Sequence, residues 1–153
     1  MSDIQELYQE LIIDHGRHPR NCRCMTDASV TKEGFNPLCG DRLTVYLKTQ
    51  NEKIVDASFE GNGCAISMAS ASLMIEGLKG KNFSDIKKIF NAFRLLVTKG
   101  DESCIHLLGK LAALKGVVEY PARVKCATLA WHTMMEAVAQ VSVNNRDFYD
   151  YIN

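Results

Sequence analysis

The stretch RLTVYLKTQNEKIVDASFEGNGC, residues 42–64, decides the fold. Leu43, Val45 and Leu47 alternate with polar residues over 42–48. Val55, Ala57 and Phe59 alternate again over 54–60. A period of two sends one set of side chains to a core and the other to solvent, as expected of a strand half-buried in a sheet. The polar run TQNEK between the two segments predicts a turn, so the pair reads as an antiparallel hairpin. After GNG the period changes, and the small and apolar residues of 65–78 predict a helix.

Working outward, a weaker strand is predicted near 29–35. Ile4, Leu7, Tyr8 and Leu11 recur at helical spacing, which predicts a helix over 3–14 closed by Gly16 and Pro19. On the C-terminal side, Ile86, Ile89, Phe90, Phe93 and Val97 form one stripe over 84–98 behind a Ser84 cap. A further helix is expected over 102–114. Pro121 opens a last one, with Val124, Ala127, Trp131, Met134 and Val138 inward. The sum is an α+β domain covering 1–153. It has a small antiparallel sheet of about three strands, packed by an N-terminal helix and a C-terminal group of helices. The tail, 141–153, is expected to be only partly ordered.

Composition narrows the function classes. The 153 residues carry a formal net charge of zero, which offers no electrostatic footprint for nucleic acid or for an anionic membrane. The start, MSDIQELYQE, lacks the apolar core of a secretory signal. The uncharged run at 61–75 is short for a membrane-spanning helix. A cytoplasmic location follows as the expectation. Six cysteines in such a chain point to thiols or ligands rather than to a disulfide framework.

Three of those cysteines stand where an element begins or ends. Cys39 precedes the first clear strand, Cys64 follows Gly61 and Gly63 and opens a helix, and Cys126 lies in the first turns after Pro121. Helix N-termini and exposed amides favour the thiolate, the form that binds metal or attacks sulfur. In an extended segment Cys39 and Asp41 face the same side, with Gly40 allowing a bend between them. Three thiolates and a carboxylate make a complete tetrahedral set for zinc, or a ligand set for an iron–sulfur cluster. The competing reading is that these cysteines are small buried hydrophobes, and spacing alone leaves both open. Cys22 and Cys24 form a CxC in a loop, Cys104 belongs near the surface or core of a helix, and His132 lies off the Cys126 face. His15 and His18 read as helix-end residues.

Three motifs, NPLCGD (36–41), GNGCAIS (61–67) and RVKCATLAWHT (123–133), resemble the cysteine motifs of the IscU/NifU N-terminal superfamily of iron–sulfur assembly proteins. The opening LYQELIIDHGRHPRN (7–21) is similar to that family's first helix and following loop. In the IscU-type scaffolds a histidine usually stands directly before the third cysteine, where this chain has Lys125. In place of their LPPVK motif it has EYPARVK (119–125), and the segment between Cys64 and Cys126 is longer. These departures resemble the SufU branch.

The resemblance implies Cys39, Asp41, Cys64 and Cys126 as Zn2+ ligands. It implies Cys39 as the acceptor of persulfide sulfur from a SufS-type cysteine desulfurase, which makes the protein a sulfurtransferase-like partner rather than a stand-alone enzyme. Arg123, with Lys125 beside it, is implied as a neighbour of the site that supports the thiolates or docks the partner. Downstream iron–sulfur assembly proteins are the further partners implied. The alternative is a scaffold that builds and passes on a transient [2Fe–2S] cluster. A structural zinc module without sulfur chemistry is a third reading.

Overall fold

The computed structural model describes residues 3–143. Helix α1 (Asp3–Arg17) leads into a loop. Three strands follow, β1 (Val30–Asn36), β2 (Asp41–Thr49) and β3 (Ile54–Asn62), then helices α2 (Ala65–Leu78) and α3 (Phe83–Lys99). Two 3-10 segments (Ile105–Leu107 and Gly109–Glu119) precede the last helix, α4 (Pro121–Val141). The strands form one antiparallel sheet in the order β1-β2-β3. The expected α+β class and three-stranded sheet are therefore observed. The expectation for the tail falls, beyond Val143, outside the described residues.

Leu43, Val45 and Leu47 of β2 are fully buried, as the alternation requires. The second half of the hairpin differs from expectation. Ile54 is buried and Val55 is exposed, because a register irregularity pairs Lys48 with Asp56 but Thr49 with Ile54. Such a bulge leaves one residue unopposed and flips the facing of what precedes it. Ala57 and Phe59 keep the predicted inward face.

Helices α4 and α2 pack on the sheet and on each other, α1 packs on α2, and α3 on α4 and the longer 3-10 segment. Trp131 of α4 is fully buried, its ring stacked on Phe93 at 4.7 Å between centroids. Helix α1 runs through Gly16 to Arg17. A Cβ there would sit 3.1 Å from the Ala65 carbonyl oxygen, so this glycine serves a close helix–helix approach rather than a stop. Its inner face is Tyr8, Leu11, Ile12 and His15, while Leu7 is exposed. The cap of α3 is Asn82, not Ser84: its side chain accepts the Asp85 amide at 2.8 Å. The helix expected over 102–114 is replaced by 3-10 turns. Gly109, at φ +54°, breaks the helical run, and i to i−3 bonds such as Leu108 N–H to Ile105 carbonyl take over. Among the described residues no helix is long and apolar enough to cross a membrane.

Candidate metal centre

Four segments meet at one end of the sheet. Asn36 and Asp41 are the last paired residues of the β1–β2 hairpin, and residues 37–40 form the turn between them. The turn is closed locally: the Gly40 amide donates to the Asn36 carbonyl (2.8 Å) and the Leu38 amide to the Asn36 side chain (3.1 Å). Gly40 takes φ +75°, a conformation that costs a residue with a Cβ. Cys39 and Asp41 thus converge through a tight turn, not through the i, i+2 alternation of an extended segment.

Cys64 occupies the N-cap of α2, with extended backbone, directly after β3. Its amide donates to Asp41 Oδ1 at 3.1 Å, and its thiol lies 3.8 Å from Asp41 Oδ2. Cys126 is buried in the second turn of α4, with its Sγ 3.8 Å from that of Cys39. Helix α4 is held there by two buried serines of α2: Ser67 Oγ donates to the Cys126 carbonyl (3.2 Å) and Ser70 Oγ to that of Ala127 (2.6 Å). One ligand atom from each of Cys39, Asp41 and Cys126 falls within 4.8 Å of the others. Cys64 stands at the edge of this triplet, in contact with Asp41.

The electrostatics suit a cation. Asp41 is only 3% exposed. Burial pushes its carboxyl pKa up, but hydrogen bonds from Cys39, Cys126, the Cys64 amide and Ser67 more than offset this and hold it below the ordinary range. None of those groups is basic, so hydrogen bonds hold this buried carboxylate as an anion. The Cys126 thiol is pushed well up, first by burial, then by hydrogen bonding to Asp41 and by Cys64 and Cys39. A metal ion here would replace thiol protons.

The spacing also fits. Two thiolates on one tetrahedral zinc, each about 2.3 Å from it, lie about 3.8 Å apart. The Cys39–Cys126 separation is 3.8 Å. The donor set, three sulfurs and one carboxylate oxygen, is among those zinc accepts.

Arg123, two residues into α4, is exposed, and its guanidinium is held more firmly protonated by Cys64 first and Cys126 second. It thus lies beside the site. Lys125 is exposed. Cys22 and Cys24 are exposed in the loop beside β3, where the Phe59 amide donates to the Asn21 carbonyl, and neither belongs to the triplet. Cys104 is half-buried against the core. His132 is half-buried edge-on to Phe90, at 5.8 Å between centroids. His15 stands in the last turn of α1, as expected of a helix-end residue, and is buried there: it is 1% exposed, with Nδ1 2.7 Å from Ser72 Oγ.

Sequence reasoning missed Ser67 and the role of Gly63. A Cβ on Gly63 would lie 3.0 Å from both Asp41 Oδ1 and Ser67 Cβ. The available signal was the position of Ser67 three residues after the capping cysteine, where a helix-opening side chain turns back toward the cap.

Fold and site together define a small α+β domain that gathers thiols and a carboxylate from a hairpin turn, a helix cap and a second helix. Residues 7–127 match the NifU-like N-terminal domain, and the chain belongs to that family. It is 38% identical over 144 residues to the zinc-dependent sulfurtransferase SufU of Bacillus subtilis, covering 94% of this chain and 97% of that one. It is also 38% identical over 136 residues to the iron–sulfur cluster assembly scaffold protein IscU of Thermotoga maritima, covering 89% and 95%. Among solved structures, a candidate iron–sulfur cluster assembly scaffold for the SUF system from Fervidobacterium islandicum superposes with a TM-score of 0.81 at 35% identity. That match covers 88% of this chain and 98% of the other.

Proposed function

We propose that this protein accepts sulfur from the persulfide of a cysteine desulfurase and hands it to iron–sulfur cluster assembly, with Cys39 as the acceptor. The observation that carries this reading is the graded exposure of the clustered thiols. Cys126 is buried and Cys64 half-buried, whereas Cys39 is exposed, on a turn that a partner can reach. The likeness to a zinc-dependent sulfurtransferase over nearly the whole chain supports it.

Cys39, Asp41, Cys64 and Cys126 are the residues that would hold Zn2+. When bound, the ion supplies charge that keeps the thiols deprotonated and masks their lone pairs. The transfer itself belongs to Cys39. Its thiolate attacks the outer sulfur of the partner's persulfide, and a bond forms between Cys39 Sγ and that sulfur. The bond to the partner's cysteine breaks, and the electron pair stays there as a thiolate. Arg123, beside Cys64 and Cys126, contributes a fixed positive charge where anionic sulfur gathers. Leu38 and Phe35, both exposed next to the turn, suit a protein partner, since large apolar residues clustered at a site mark interfaces.

A cysteine desulfurase assay with and without the protein tests this. Wild type should raise alanine release, and Cys39→Ala should remain folded but give no stimulation. Undiminished stimulation by Cys39→Ala would overturn the reading. A second reading, a scaffold that carries a labile [2Fe–2S] cluster as cargo, is favoured by the Asp41 carboxylate, a weaker ligand for such a cluster than a fourth thiolate. It predicts a visible cluster after anaerobic purification that transfers to an apo acceptor.

A further inference from the structure

We propose that Cys39 and Cys126 are a reversible oxidation site for peroxide, in which Cys39 is oxidised first and Cys126 closes a disulfide onto it. The two sulfurs lie 3.8 Å apart, although the residues stand 87 positions apart in the chain. A disulfide bond is about 2.0 Å long, so the sulfurs must approach by about 1.8 Å. Cys39 is the partner that moves. It is exposed in the turn 37–40, whereas Cys126 is buried within α4, its carbonyl accepting from Ser67 Oγ at 3.2 Å. Rotation of the Cys39 side chain with a small shift of the turn closes the gap and leaves the helix in place.

The same asymmetry divides the chemistry. Sulfenic acids form on solvent-accessible thiolates, and an adjacent thiol then resolves them to a disulfide. Peroxide in solution reaches Cys39, while burial screens Cys126 from it. In the first step the Cys39 thiolate attacks one oxygen of hydrogen peroxide. An S–O bond forms, the O–O bond breaks and hydroxide leaves, so the sulfur is oxidised and the peroxide reduced. In the second step Cys126 Sγ attacks Cys39 Sγ. The S–S bond forms, the S–O bond breaks, and the departing hydroxyl leaves as water with the Cys126 proton. A dithiol reductant reopens the link by thiol–disulfide exchange. A disulfide sulfur carries no thiolate charge for a metal, so the closed pair withdraws two proposed ligands and the exposed acceptor together. That consequence rests on the reading that the cluster binds zinc; the link itself does not.

The test treats the protein with hydrogen peroxide, both zinc-loaded and after chelation, alkylates the remaining thiols and maps the links by peptide mass spectrometry. Wild type should yield a Cys39–Cys126 cross-linked peptide that dithiothreitol abolishes. Cys126→Ser should lose the link and leave Cys39 as a sulfenic acid that dimedone traps. Cys39→Ser should keep Cys126 reduced at the same peroxide dose. The competing thiols are the exposed Cys22 and Cys24 and the half-buried Cys64. A disulfide confined to Cys22 and Cys24, a Cys39–Cys64 link, or irreversible oxidation of Cys39 without a link would overturn the proposal. Equal oxidation of Cys126 in Cys39→Ser would do the same. The wild-type map decides the matter even where a variant fails to fold. Zinc that stays bound after the disulfide has formed, read with a chromophoric chelator, would instead overturn the metal-centre reading and leave the pair standing.

Discussion

Replacing Gly63 by Ala perturbs the centre without touching a ligand. Gly63 does not have a positive φ, so a Cβ brings no backbone strain. The new methyl would meet Asp41 Oδ1 at 3.0 Å, Asp41 Cγ at 3.1 Å and Ser67 Cβ at 3.0 Å, where ordinary contact begins at 3.4 Å. Relief therefore needs a shift of about 0.4 Å, whereas metal sites are defined to about 0.2 Å. The carboxylate is the most movable of these groups, since Ser67 is fixed in a helix. For the metal-free protein, overpacking costs about 1–3 kcal/mol, offset by about 0.4–1 kcal/mol from a less flexible unfolded chain. A net loss of about 1–2 kcal/mol is expected by urea unfolding in the presence of a chelator. Zinc affinity, by competition titration, should fall about 10–100-fold, the range seen when a ligand's support is disturbed. Unchanged affinity in a folded Gly63→Ala protein would refute the claim that this glycine makes room for an ordered Asp41 ligand.

Two further outcomes follow from the scaffold. Burial holds the His15 pKa below its ordinary 6.5, so the ring folds neutral against Ser72, and His132 is shifted the same way by burial. The unfolded chain binds more protons in this range, so their stabilising contribution is complete above about pH 6.5 and is lost as pH falls below it. The urea midpoint of metal-free protein should drop in that window, and His15→Gln should flatten the drop. Asn82→Ala removes the acceptor for the Asp85 amide and should cost about 1 kcal/mol by the same assay, with zinc affinity unaffected.

The fold was legible where one period dominates. Leu43, Val45 and Leu47 marked β2, and the switch after GNG placed α2 at 65–78, as observed. The sequence was silent where a tertiary contact overrode a local signal. Gly16 looks like a helix stop but is a packing point against Ala65. Val55 looks inward until the bulge turns Ile54 into the core. His15 looks like a polar end but lies under α2. Gly109, at positive φ, interrupts the run over 102–114, and 3-10 turns stand where an apolar count reads helix. At the centre, the motifs marked which cysteines to watch. The grading of their exposure and the bond from Ser67 to the Cys126 carbonyl depend on how a turn, a cap and a helix meet, which no local pattern encodes.

Cys39 Sγ is the atom proposed to take sulfur. The direct measurement is to incubate the protein with a persulfide-loaded cysteine desulfurase, trap thiols by rapid alkylation, and locate the added sulfur by peptide mass spectrometry. Sulfur is expected on Cys39, with none gained by Cys39→Ala. Sulfur found instead on Cys64, Cys126, Cys22 or Cys24, or equal uptake by Cys39→Ala, would contradict it.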